Sequence, residues 1–170
     1  MDRKRTEDSM IIRKTTMEDL DEVMEIYAGA RAFMAQNGNP TQWGDGYPQE
    51  ELIREDIEKE RSYVAVVDGR IETVFMYQYG EDPTYRRIEV GSWKNDEPYG
   101  VIHRIASRHN VKGIGAKCLQ WGFLQCKNLR IDTHEDNTVM QHVLKKNGFE
   151  RCGIICLENG SPRIAFQKTE

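Results

Sequence analysis

The period of the hydrophobic positions changes several times along the chain, and each change marks an element. Met10-Ile11-Ile12-Arg13-Lys14 reads as a first strand. Thr16-Met17-Glu18-Asp19 places an acid three residues after a Thr, the signature of a helix start. Leu20, Val23, Met24, Tyr27, Ala30 and Met34 then recur at helical spacing until Gly38 stops the run. Pro48 opens a second helix with Leu52, Ile53 and Ile57 on one face. Two strand patterns, 63–67 and 71–79, flank the hairpin signal Asp68-Gly69. Residues 80–98 are irregular, broken by Pro83, Gly91 and Pro98, with a short strand expected near 87–93. A strand at 101–106, a Gly-rich turn, a helix at 114–126 and a strand at 129–133 follow. A fourth helix, 137–147, carries Val139, Met140, Val143 and Leu144 and ends at Asn147-Gly148. Closing strands at 149–157 and 163–168 are joined by Asn159-Gly160. The order β-α-α-β-β-β-α-β-α-β-β predicts an α/β (α+β) fold with a mixed central sheet and no internal repeat.

Composition narrows the function. The 170 residues suit one domain with one sizeable core. Charged residues make up 31% and apolar ones 38%, an ordinary globular balance. The net charge of −4, with no basic run after the first few residues, argues against nucleic-acid binding. No stretch is long and apolar enough to span a bilayer and no signal peptide is visible, so a cytoplasmic protein is expected. Residues 1–9 read as a polar, disordered tail, with Met10 an alternative start, and 10–170 as a single domain. Cys118, Cys126, Cys152 and Cys156 lack zinc-finger spacing and read as buried, reduced thiols. Histidines 103, 109, 134 and 142 form no recognisable ligand set, so no metal is expected.

The chemistry concentrates in Asn110-Val111-Lys112-Gly113-Ile114-Gly115-Ala116, between a strand and a helix. Unpaired backbone N–H groups in the first helical turn, together with the helix dipole, favour an anion there. Glycines at 113 and 115 allow the close approach that a Cβ would prevent. A Walker loop is excluded because Lys117 is followed by Cys118 rather than Ser or Thr. A dinucleotide fingerprint fails for want of a third glycine at Cys118, although Asp132 lies at a suitable distance downstream.

What remains is the pyrophosphate loop of the GNAT acyltransferases, [Arg/Gln]-x-x-Gly-x-[Gly/Ala], which this segment resembles with Asn110 at the Arg/Gln position. The resemblance extends to the element order, to Asn137 at the start of the fourth helix, and to Asn147-Gly148-Phe149 at its end. It covers most of the chain from Met10 to Lys168. The chain also looks like a bacterial group within the family that shares the Asn-Pro-Thr-Gln-Trp (39–43) and Ile-Asp-Thr-His (131–134) segments.

The resemblance implies a GNAT fold, with parallel strands splayed around acetyl-CoA, and an N-acetyltransferase acting on a primary amine of a small molecule or peptide. The pyrophosphate would rest on backbone N–H groups from Val111 to Ala116, with Lys112 nearby. The pantetheine arm would pair with Ile105, Ala106 and Ser107 and face Asn137. Asp132 stands where some relatives that modify N-terminal amines carry a catalytic Glu, and is expected to act through water or else to form an ion pair with Arg130 or a neighbouring helix. His103 alternates with Val101 and Ile105 and reads as a core histidine or a base; His134 reads as a base or a loop cap. Many relatives have a Tyr acid where this chain has Leu144. That substitution keeps open a second reading, a non-catalytic acyl-CoA-binding domain with a sensing role. Trp43 and Tyr47, with Tyr85 and Glu89, are expected at the acceptor side. The protein is expected to be a monomer or homodimer.

Overall fold

The computed structural model describes residues 10–170, so the tail expected at 1–9 lies outside the described residues. The strands are β1 (Met10–Lys14), β2 (Ser62–Val67), β3 (Arg70–Tyr79), β4 (Gly100–Ser107), β5 (Asn128–Thr133), β6 (Glu150–Cys156) and β7 (Pro162–Thr169). The helices are α1 (Leu20–Gln36), α2 (Glu50–Glu58), α3 (Ile114–Cys126) and α4 (Thr138–Lys146). One seven-stranded sheet runs β1-β2-β3-β4-β5-β7-β6. Every neighbouring pair is antiparallel except β4 with β5.

Local chemistry sets the ends of the elements. Thr16 and Asp19 form the expected capping box around a 3-10 turn, Met17–Asp19, that leads into α1. Asn137 caps α4 by accepting from the Met140 N–H at 3.0 Å. Asp68 and Gly69 both take positive φ (53° and 78°), the backbone of a tight hairpin between β2 and β3. The strand expected near 87–93 is reduced to a single antiparallel bridge, Glu89 to Ile154. Gly91 fits against the Cys152 carbonyl, where any Cβ would collide, and the Ser92 N–H donates to that carbonyl at 3.0 Å, so the segment docks on the edge strand through a few bonds rather than a continuous ladder.

The sheet is covered on both faces. Val64, Val74 and Ala106 pack with Leu20, Val23, Ile26, Tyr27 and Ile53 of α1 and α2. On the other face Phe75, Ile102, Leu129 and Ile131 pack with Ile114, Cys118 and Leu119 of α3 and Leu144 of α4. A smaller cluster, with Tyr85, Tyr99, Val101, Ile155 and Ala165, seats the 80–99 segment on the C-terminal arm of the sheet. The cysteines are all free, but only Cys118 is buried and Cys156 is exposed, against the expectation of four buried thiols.

Two irregularities in β4 create the site. The first is the parallel pairing, which holds only at Gly100 with Leu129 and Val101 with Arg130. Beyond Val101 the two strands diverge, leaving unpaired backbone edges along a wedge. The second is a bulge: Val74 opposes Ala106 and Met76 opposes His103, so two β4 residues face Phe75 alone. Arg104 takes φ 53° there, and its carbonyl accepts a hydrogen bond from Tyr27 Oη at 2.9 Å. The bulge shifts the phase of the strand. Simple alternation places Val101, His103 and Ile105 on one face, but Ile105 packs with the α3 core whereas Val101 lies in the opposite cluster.

Candidate active site

Two cavities meet at the splay, of about 780 Å³ and 420 Å³. Met34, Ile105, Asn137 and Met140 line both, so the two communicate along the opened edge of β4.

The smaller cavity contains the glycine loop. Ile105, Ala106, Ser107, Val111, Lys112, Gly113, Ile114, Gly115 and Ala116 all line it. Gly113 has φ 78° and starts α3 without a side-chain cap, leaving the first-turn N–H groups facing outward. A Cβ added to Gly115 would meet no protein atom within 4 Å. Packing within the protein therefore does not require glycine there, whereas close approach of an anion does. Asn110 is exposed and does not line the cavity, so the Arg/Gln position of the motif contributes no wall. Further along, Asn39 is 2% exposed and its Oδ1 has no hydrogen-bond partner. Thr133 Oγ1, lining the larger cavity, is likewise buried and unpartnered. A pantetheine chain, with two amides and a hydroxyl, carries the donors that such orphan oxygens lack.

The larger cavity holds a hydrogen-bonded set of titratable groups. His103 Nε2 lies 2.7 Å from Asp82 Oδ2, and Nδ1 lies 3.8 Å from Asp132 Oδ2. Tyr85 Oη donates to Asp132 Oδ2 at 2.6 Å. Thr84 donates to Asp82 Oδ1 from both its backbone N (2.9 Å) and its hydroxyl (2.7 Å). Burial works to raise the Asp82 pKa, but the hydrogen bond and charge of His103, with the Thr84 donors, outweigh it and bring it down to about 2. Burial, reinforced by Asp132, holds the Tyr85 hydroxyl well above its ordinary range, so it remains a donor. Because ionised Asp82 can only accept, it fixes Nε2 as a protonated nitrogen, so the tautomer that can act as a base presents its lone pair at Nδ1, toward Asp132. The 3.8 Å gap between Nδ1 and Asp132 is too long for a hydrogen bond, yet one nitrogen at about 2.8 Å from each would bridge it.

Opposite this set is the segment 37–48. Trp43 lines the cavity while its ring packs edge-on to Tyr27 (5.8 Å) and Tyr47 (6.0 Å), so it both anchors the loop and faces the cleft. Gln42 Oε1 accepts from Asn39 and from Asn137 Nδ2 (2.8 and 3.0 Å), and Thr41 Oγ1 lies 3.2 Å from His134 Nε2. These bonds strap the loop to the β5–α4 turn across the wedge. Arg104 makes a bidentate pair with Asp56, which is 1% exposed and also binds Arg61. Tyr47 Oη accepts from Arg104 at 3.3 Å.

Some expected site residues lie elsewhere. Glu89 is bonded to the β6 edge, pairs with Arg87 at 3.5 Å and lines neither cavity. Tyr85 is 1% exposed and stands behind Asp132, supporting it rather than meeting an acceptor. His134 uses Nδ1 to accept from the Asp136 N–H and Nε2 to meet Thr41, and it lines neither cavity, so it acts as a loop tie. Asp132 does not pair with Arg130, whose guanidinium stacks on Trp93 and Tyr99. Arg163 is the main contributor that sequence reading left without a role, and the run 81–85, read as part of an acidic acceptor pocket, contributes Asp82 as the partner of His103. The Asp-Pro-Thr run around Asp82 is a legible turn cap, but its contact with His103 is a long-range fact.

The fold and site define an acyltransferase class: a splayed parallel pair, a glycine loop at a helix start, and a polar cleft beyond the bulge. Solved structures agree. A GNAT-family acetyltransferase from Streptococcus agalactiae is 34% identical, with 95% of each chain covered and a TM-score of 0.85. A Brucella melitensis ribosomal-protein-alanine N-acetyltransferase shares the fold at 17% identity and TM-score 0.64, covering 94% of this chain and 99% of that one. So does Salmonella typhimurium yncA, solved with its cofactor acetyl-CoA, at 15% and 0.63, covering 95% and 94%. No protein-family model and no curated protein matched the chain. The chain belongs to the GNAT family of acetyltransferases. Among the described residues no group of three or more His, Cys, Asp or Glu side chains could hold a metal ion, and no helix is long and apolar enough to cross a membrane.

Proposed function

We propose that the protein transfers an acetyl group from acetyl-CoA to a primary amine, with His103 as general base. Acetyl-CoA supplies an activated acyl carbonyl; the residues of the chain do the rest. Backbone N–H groups of residues 111–116 hold the pyrophosphate, and the open edge of β4 at Ile105, Ala106 and Ser107 takes the pantetheine. Asn137 joins the two cavities and faces the cofactor arm. The acceptor nitrogen sits between His103 Nδ1 and Asp132. Asp132 attracts it as an ammonium, and Nδ1 removes the proton that blocks attack. A lysine-like amine with pKa about 10.4 needs about 4.6 kcal/mol to become neutral at pH 7, so a poised base matters. The N–C bond forms, the C–S bond breaks, and a backbone N–H beyond the bulge stabilises the carbonyl oxygen.

Leu144 is fully buried, so the family's Tyr acid has no counterpart at that position. A thiol of pKa about 8.5 leaves unprotonated at pH 7 at a cost of only ~2 kcal/mol, so an acid is dispensable. Leu144 also supports the second reading, an acyl-CoA-binding domain without turnover. The open lone pair of His103, held by Asp82 in front of Asp132, favours catalysis and carries the proposal.

The test combines calorimetric binding of acetyl-CoA with thiol release across a panel of amines. Saturable binding and amine-dependent release are expected. Tight binding with no release on any amine would establish the binding-domain reading. Unchanged acetyl-CoA affinity in Gly115→Glu would overturn the loop assignment.

A further inference from the structure

Three guanidinium groups line the acceptor cavity, and they are not equivalent. Arg61 and Arg104 share the carboxylate of Asp56. Arg163 is only 7% exposed, yet its bonds are all to neutral oxygens: Ser161 Oγ (2.6 Å), the Pro162 carbonyl (2.8 Å) and the Gln42 carbonyl (3.3 Å). Among the described residues no carboxylate lies within 4 Å of it, and the three hydrogen bonds engage only its two terminal nitrogens. A buried cation without a counter-ion is costly. Burial accordingly lowers its pKa, with Asp132 the largest opposing influence. An anion entering the cavity would complete the site.

The sheet register says where that anion would lie. Asp132 is paired with Ala165, so Arg163, two residues away on β7, shares its face and is its diagonal neighbour. The Cα atoms of diagonal neighbours are about 7–8 Å apart, and both of these side chains line the larger cavity. In an amino acid the amine nitrogen and carboxyl carbon are about 2.5 Å apart. A cation site at His103 and Asp132 and an anion site at Arg163 thus open into one cavity from neighbouring positions of the sheet, an arrangement suited to an amine and a carboxylate on one small molecule.

We infer, building on the acetyltransferase reading, that the acceptor is a free amino acid: its amine sits between His103 and Asp132 and its carboxylate on Arg163. Trp43, Met76 and Leu157 line the remaining space, which the side chain of the amino acid fills. Polyamines and the N-termini of long peptides lack the adjacent carboxylate and leave Arg163 unpaired.

The experiment measures thiol release and calorimetric binding, with CoA present, for the common L-amino acids and for the carboxamide of each. Wild-type protein should prefer at least one amino acid over its carboxamide by on the order of 10²-fold in kcat/KM. Arg163→Gln should lose that preference through KM while keeping its rate on the carboxamide, and Arg163→Lys should recover part of it. If Arg163 only braces the Gln42 loop, amino acid and carboxamide will decline together in Arg163→Gln, and the inference fails. It also fails if wild type turns over carboxamides or plain amines as well as the acids. Binding of acetyl-CoA with no release on any amine fails the acetyltransferase reading instead, and discriminating binding of amino acids would then still report on Arg163 directly.

Discussion

Replacing Asp82 by Asn tests the proposed chemistry through a single proton. Thr84 N–H is a donor only and points at Oδ1, so the amide oxygen of the substituted side chain must take that place. The amide NH2 then faces His103 Nε2, which lies 2.7 Å from the carboxylate in the native protein. Two donors cannot face one another, so Nε2 becomes the acceptor and the imidazole proton moves to Nδ1. The lone pair that faced Asp132 is gone, although no atom has moved far. Loss of a correctly held base costs about 10²–10⁴ in rate, or ~2.7–5.4 kcal/mol of barrier. The turn itself should survive, because Asn caps as well as Asp and keeps both Thr84 bonds. Thiol-release kinetics give the rate, and nitrogen NMR of His103 gives the tautomer. Calorimetry should report unchanged acetyl-CoA affinity, since the glycine loop is untouched. A full rate in a variant whose spectrum shows Nδ1–H would refute the reasoning. Acid unfolding gives an independent check. The folded Asp82 pKa is lowered to about 2, so its stabilisation is complete above the ordinary carboxylate range and is lost as pH falls through that value. Asp82→Asn should lack this part of the acid-unfolding profile.

Two further substitutions separate affinity from stability. Gly115→Ala places its methyl in space empty of protein, so the helix should gain up to about 1 kcal/mol, raising Tm by roughly 2–4 °C, while acetyl-CoA affinity falls about tenfold or more; a calorimetric titration and a thermal melt decide it. Asp56→Ala strands the buried Arg104 and leaves Arg61 without its closest partner, and should cost about 3–5 kcal/mol, with Tm lower by about 10 °C or more in the absence of any ligand.

Much of this was legible in the chain because it is encoded locally. The helix at 114–126 is visible from its apolar spacing and from the glycines that precede it, and Asn137 from its position as a cap. The glycine loop needed no tertiary information, since its chemistry belongs to neighbouring backbone groups. His103 shows where such reading stops. Its orientation depends on a bulge one residue away, and a bulge is set by pairing with β3, which a period-two rule cannot see. Its partners lie 21 residues before it and 29 residues after it in the chain. Tyr85 and Glu89 read alike as polar candidates in one loop. Burial behind Asp132 and docking on the β6 edge sent them to different places. Arg163 looked like one more strand residue. It becomes informative only once the carboxylates around the cleft are located and, among the described residues, none is found within 4 Å of it.

The two paired positions between β4 and β5 have a mechanical consequence. Strands β1–β4 come entirely from the first part of the chain and β5–β7 entirely from the last, so the sheet is two consecutive half-sheets meeting at a short seam. Elsewhere along the divide they are joined by helix packing and by a few side-chain ties, Gln42 to Asn137 and Thr41 to His134 among them. A ligand lying in the wedge touches both halves and acts as a fastener between them. Its binding free energy adds to the cohesion of the molecule as well as to its own retention. Resistance to proteolysis between residues 107 and 128 should therefore follow acetyl-CoA concentration, and two fragments divided there should reassemble more readily when it is supplied.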